Sequence, residues 1–179
     1  MSTTTEPTTH AGRFLAKLRK IANDRGKMAA LRRGASEATK RQAWPVIAFL
    51  GEDVGSFPAR IVGAFYAGHH EKEGKTWSFG ATCRQIALEG VTGYEIPDSF
   101  DKRFRRLLAC DTDQEVAEQF KAWIRFAKAK SISVDYERMF NDLAWWDKSA
   151  DDTKLQWARG FWPVRKEAGE EPATGEAAA

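Results

Sequence analysis

From Thr9 to Pro163 nearly every apolar cluster recurs at the three- and four-residue spacing of a helix, and no stretch alternates apolar and polar residues as a half-buried strand would. That regularity constrains the chain more than any composition figure does. It predicts an all-α fold, because each such segment has one apolar stripe to bury and only another helix to bury it against. No repeat of fixed period is visible, so the helices are not units of a solenoid.

Capping signals divide the pattern into elements. Thr9 precedes a helix with Phe14, Leu15, Leu18 and Ile21 on one face. Asp24 precedes another carrying Met28 and Leu31, which Gly34 ends. Ser36 opens a short helix expected to break at Trp44-Pro45, since a residue before proline is biased away from the α region. Pro45–Leu50 and Pro58–Tyr66 read as buried, and His69–Thr76 (HHEKEGKT) as a polar loop. Ser78 starts a helix through Leu88, and a glycine-containing loop leads to Pro97. Phe100, Phe104, Leu107 and Leu108 mark the next face. Thr112 with Glu115 forms a capping box for the longest helix, about residues 113–130. Ser133 or Asp135 caps a helix with Tyr136, Met139, Phe140 and Leu143 inward. A last one, from about Ser149, contains Leu155, Trp157, Ala158 and Phe161 and stops at Pro163. The loop near Gly90–Pro97 suggests two small bundles, residues 10–95 and 96–164, between a Thr-rich disordered head (1–9) and a flexible acidic tail (165–179).

Charge is uneven. The chain of 179 residues has a formal net charge of only +3, yet His10–Leu50 holds ten Lys and Arg against Asp24 and Glu37 alone, and the tail carries Glu167, Glu170, Glu171 and Glu176. Within the longest helix, Lys121, Arg125 and Lys128 recur at i, i+4 and i+7, opposite Val116, Phe120, Trp123, Ile124 and Ala127. Lys102, Arg103, Arg105 and Arg106 surround the Phe104 face, and the N-terminal arm includes Arg32 and Arg33. Cations on neighbouring helices could merge into a track along phosphates, with a log–log salt slope of roughly −0.7 per contact on single strands. A solvated helix face is the commoner explanation of any one of these clusters alone, and three clusters with few matching acids weaken it without settling the matter. Trp145-Trp146 and Trp157/Trp162 are candidates by type for stacking on bases, although aromatics at helical spacing more often form core.

Signs of catalysis are few. His69-His70 beside Glu71 and Glu73 lack the spacing of a metal site. The pairs Asp151-Asp152 and Asp98/Asp101 could serve a two-metal nuclease, but acids at a helix start also suit the positive dipole end. Neither a phosphate-cradling glycine loop nor a GxSxG elbow is present, so no cofactor and no metal are expected. Cys83 and Cys110 lie outside any CxxC pattern and read as small core residues in a reducing compartment. No apolar run reaches the roughly 18 residues needed to span a bilayer, and the cytoplasm is the expected location.

Six blocks carry a family resemblance: Asp24–Gly34 (DRGKMAALRRG), Trp44-Pro45, Trp77–Ile86 (WSFGATCRQI), Phe100–Asp111 (FDKRFRRLLACD), Ser133–Trp146 (SVDYERMFNDLAWW) and Trp157–Phe161 (WARGF). In this order, from about Phe14 to Trp162, the chain resembles the CasB family, small subunits of the type I-E CRISPR surveillance complex, Cascade. The resemblance implies a helical, non-catalytic subunit of antiviral defence, usually present in two copies. Its implied partners are the large and backbone subunits, crRNA, target DNA and a second copy of itself. It also implies that the subunit helps hold the displaced non-target strand, so stabilising the R-loop. The family's DNA-contacting cations map onto Arg32, Arg33, Arg103, Arg125 and Lys148, while Lys121, Lys128, Arg105 and Arg106 rest on periodicity and clustering alone. Two other readings stay open: an assembly subunit docking protein or crRNA through its basic faces, and a small nuclease acting through the Asp pairs.

Overall fold

The computed structural model describes residues 9–164, and the expectations for residues 1–8 and 165–179 lie outside these described residues. Nine α-helices follow in order among them: α1 (His10–Lys20), α2 (Arg25–Arg32), α3 (Trp44–Phe49), α4 (Phe57–His69), α5 (Phe79–Leu88), α6 (Asp98–Leu108), α7 (Asp113–Ala129), α8 (Tyr136–Ala144) and α9 (Trp146–Phe161). The protein is all-α. Its extended pairing among the described residues is one isolated bridge between Glu73 and Val134.

The caps explain the helix starts. Thr9, Asp24, Ser78 and Asp135 each accept a hydrogen bond from a backbone N–H in the first turn of α1, α2, α5 and α8. The Thr112/Glu115 box is closed in both directions at α7. Each such cap satisfies an otherwise orphaned donor and is worth about 1 kcal/mol. Ser56, which the sequence pattern did not single out, caps α4 in the same way.

Three local expectations are corrected. Trp44 is helical (φ −54°, ψ −45°), and Pro45 sits in the first turn of α3. There its missing N–H would have had no intrahelical partner anyway, so proline opens this helix instead of breaking one. Phe49, within the stretch expected to be buried, is 66% exposed. His69 belongs to α4 and is buried, its Nε2 within 2.9 Å of the Ile132 carbonyl, so the polar loop begins one residue later. The last helix starts anew at Ser149 as expected, a non-helical residue (φ −146°, ψ 37°) that separates it from the short turn opening at Trp146.

Helix α4 is the axis of the core, packed against α2, α7 and α8, while α5 lies along α9. Buried side chains form one contiguous set that includes Phe14, Phe65, Phe104, Phe120, Trp123, Tyr136, Trp157 and Phe161, so helices on both sides of the 90–97 loop share it. Aromatic rings dominate its centre: Phe104 stacks on Phe161 at 3.9 Å, and Phe79, Phe120 and Trp157 meet edge-on or tilted at 4.5–5.8 Å. Two of the four tryptophans weighed for base stacking, Trp146 and Trp157, are core residues.

One carboxylate is drawn into this core. Asp142 accepts from Trp157 Nε1 at 2.7 Å and from Arg138 Nε at 3.0 Å, tying α8 to α9. Burial raises its pKa above the usual 3.8, outweighing both hydrogen bonds, so the folded chain disfavours the charged form. A raised folded pKa makes this group's contribution greatest below the unfolded value and lost as pH rises through the folded one. Asp142→Asn keeps an acceptor for the indole and removes the buried charge. We expect it to unfold in urea within about 1 kcal/mol of the native chain at neutral pH, with the comparison moving in its favour as pH rises from about 4. Asp142→Ala leaves the indole N–H and Arg138 without their acceptor and should lose about 2–3 kcal/mol.

Candidate nucleic-acid interface

Helix α7 positions the basic row. Val116, Ala117, Phe120, Trp123, Ile124 and Ala127 are buried, and at 3.6 residues per turn that seam forces Lys121, Arg125 and Lys128 outward, where all three are exposed. Seven residues at 1.5 Å each separate the first and last of them by about 10 Å along the axis. At the helix end Ser131 takes φ 56°, the left-handed position where glycine is usual, and Ile132 N donates to the Ala127 carbonyl at 2.8 Å.

Helix α6 distributes its four cations over different surroundings. Phe104 and Leu107 point inward. Lys102 pairs with Asp98 at 2.6 Å and Arg105 with Asp101 at 2.7 Å, one turn apart. The Arg105 hydrogen bond holds the Asp101 carboxyl below its ordinary range. Arg106 lines a groove with Glu115 and Glu118, an acidic setting. Arg103 also turns towards α7, nearer its C-terminal end, its guanidinium 5.0 Å from the Phe126 ring centre. With Arg125, Ala122, Phe126 and Ala129 it walls a groove of about 300 Å³.

A second cation pair forms at the C-terminal end of α4. Arg32 Nη1 donates to the Ala67 carbonyl at 3.1 Å and Lys128 Nζ to the Gly68 carbonyl at 2.9 Å. Both cations thus sit at the negative end of that helix dipole and line one cleft with His70, Glu71, Lys72 and Ser131. Lys72 is the residue that sequence reasoning missed here. Lying within a segment read only as a polar loop, it gave no periodic signal.

The fold therefore brings together Arg103 with Arg125, and Arg32 with Lys128, along the α7 row. It sets the others apart. Arg33 is engaged by the Gln42 side chain beside α2. Arg105 is paired with Asp101, and Arg106 shares a groove with Glu115 and Glu118. Lys148 lies at the α8–α9 junction with its ammonium 5.3 Å from the Trp145 ring, and Trp145 is 57% exposed. Among the described residues, Arg103, Lys121 and Arg125 have no carboxylate within ion-pair distance, nor do Arg32, Arg33, Arg106, Lys128 and Lys148, whereas Arg19, Lys27, Lys40, Arg60, Lys75 and Arg138 all do.

The other candidate chemistries find these surroundings. Asp98 and Asp101 serve ion pairs, and Asp151 and Asp152 are exposed in α9. Among the described residues no group of three His, Cys, Asp or Glu side chains could hold a metal ion. Both cysteines are free and buried, and burial pushes the Cys83 thiol well above its usual pKa, away from the thiolate a nucleophile needs. No helix among the described residues is long and apolar enough to cross a membrane.

Short helices around an aromatic core, with a row of exposed cations on α7, define the class: a helical protein with one basic face. The family model described as CRISPR-associated protein Cse2 matches residues 27–162, most of the chain. A crystal structure of a Cse2-family CRISPR-associated protein from Thermus thermophilus superposes with TM-score 0.68 at 22% identity, covering 88% of this chain and all of that one. A structure of CasB from Thermus thermophilus matches to the same extent. No curated protein sequence matches. The chain belongs to the Cse2 family of CRISPR-associated proteins, subunits of Cascade.

Proposed function

We propose that this protein is the small subunit of a type I-E Cascade that grips the displaced non-target DNA strand and so stabilises the R-loop, without catalysis of its own, in the cytoplasm. The observation that carries the reading is the exposed α7 row Lys121, Arg125 and Lys128, which Arg103 joins across one groove beside Arg125 and Arg32 joins in a cleft beside Lys128. Exposed cations in a helical row suit contact to a phosphate backbone and leave sequence reading to base pairing. Exchange of duplex for heteroduplex is close to balanced, so a few phosphate contacts suffice to tip it.

The test is R-loop formation by the reconstituted complex, with and without this subunit, at two salt concentrations. Loss of R-loop on omission, together with a steeper salt dependence when the subunit is present, supports strand gripping. An intact R-loop yield with a particle that falls apart supports the second reading, a scaffold. Phe49, Trp77, Tyr94 and Trp145 favour that alternative in one respect: large apolar side chains more than half exposed are suited to docking against the large subunit, a backbone subunit, crRNA or a second copy.

A further inference from the structure

Residues 9–164 hold 26 Lys and Arg against 20 Asp and Glu, a net +6, while residues 167–179 hold Glu167, Glu170, Glu171 and Glu176 and no cation at all. The point at which the chain enters this acidic stretch is fixed. Trp162 Nε1 donates to Asp101 Oδ1 at 2.9 Å, its ring meets Phe104 edge-on at 5.2 Å, and Arg105 covers it at 4.9 Å. Val164, two residues on, is 93% exposed. The chain thus leaves the described fold beside α6, the helix that carries Arg103, and the Glu-rich stretch follows within three residues.

Reach and charge both favour an encounter with the basic face. Fifteen residues reach at most about 50 Å, against about 25 Å for the whole of α7. On α6 and α7, Lys102 and Arg105 are already paired with carboxylates, whereas Arg103, Lys121 and Arg125 have no such partner among the described residues. At an effective concentration of order millimolar one weak exposed pair would not hold, and occupancy comes from the four tethered carboxylates engaging several cations at once.

We infer that the Glu-rich segment 167–179 is an intramolecular ligand of the Arg103–Lys121–Arg125 face and competes there with the phosphates of nucleic acid. The inference rests on that face being the nucleic-acid site. Competition of this kind lowers affinity for short or transient strands, while a longer strand, making more contacts at once, displaces the segment.

The test compares the full chain with its Glu167→Gln, Glu170→Gln, Glu171→Gln, Glu176→Gln variant, using fluorescein-labelled oligothymidine at low and high salt. We expect the variant to bind roughly three- to ten-fold tighter at about 50 mM salt, with the difference vanishing at about 300 mM as screening weakens exposed pairs. A zero-length carbodiimide cross-link between Lys121 and a glutamate of the segment should form within one chain and disappear on adding oligothymidine. Measurable but equal binding by the two proteins overturns this inference and leaves the proposed function standing. Absence of binding by both overturns the proposed function, and the inference with it. Cross-links found only between chains, recognised in a mixture of isotopically light and heavy protein, assign the segment to a second copy and overturn it too.

Discussion

Gly80→Ala should destabilise the chain by about 3 kcal/mol or more and lower its melting temperature by about 10 °C, and Gly160→Ala should do nearly the same. The two glycines sit where α5 and α9 touch backbone to backbone. A methyl group on Gly80 would overlap the Trp157 carbonyl oxygen and lie 2.7 Å from its Cα. One on Gly160 would overlap the Ser78 hydroxyl and lie 2.6 Å from the Ala81 nitrogen. These neighbours are mainly backbone, and the exception, Ser78, is the buried cap of α5, so no side chain can swing aside. The helices must separate, loosening Trp157 from Phe79 and Phe120. Overpacking usually destabilises by about 1–3 kcal/mol, and a backbone clash belongs at or beyond the upper end. Natural domains have about 5–15 kcal/mol in total. Thermal unfolding followed by circular dichroism checks it: a melting temperature close to that of the native chain would show that the helices can slide apart freely. Gly68→Ala, in the last turn of α4, is the control, because a methyl group there meets nothing within 4 Å.

Neither glycine announces its role in the sequence. Both interrupt helical patterns, and helical interiors normally disfavour glycine by about 1 kcal/mol relative to alanine. The reason they are tolerated lies on a different helix, far along the chain. What the sequence does expose is local: the Thr112/Glu115 box, the Asp24 and Ser78 caps and the buried seam of α7 follow from chemistry within one or two turns. The exposed row Lys121, Arg125 and Lys128 follows from that seam for the same reason. Pairing is not local. Arg103 and Arg105 look equivalent in KRFRR, and only tertiary packing directs one towards Phe126 and leaves the other to Asp101 and Trp162. Pro45 misleads because a proline can open a helix as readily as stop one, and the deciding factor is where the preceding 3-10 turn delivers the chain.

That division among the α6 cations yields the second large effect. Arg103→Glu with Arg125→Glu should weaken binding to single-stranded DNA about 100-fold at near-physiological salt. Two charge-assisted contacts at about 1.5 kcal/mol each account for this, since every ~1.4 kcal/mol is tenfold. The log–log salt slope should fall by about 1.4, two contacts at ~0.7 each. In the reconstituted complex the same variant should lower R-loop yield most strongly at the higher of two salt concentrations. Arg105→Gln with Arg106→Gln removes two positive charges from the same neighbourhood, yet Arg105 already serves Asp101 and Arg106 lies among Glu115 and Glu118. Long-range attraction treats the two arginine pairs alike, whereas direct phosphate contact does not. A change under about threefold for this pair localises the contact, provided that Arg103→Gln with Arg125→Gln, equal in charge removed, loses at least about tenfold. Equal losses from the two glutamine pairs would mean that the protein acts only through its net field. The melting temperature of the Arg103 variants should drop by no more than a few degrees, because the stacking on Phe126 that they lose is worth about 0.5–1 kcal/mol at an exposed site.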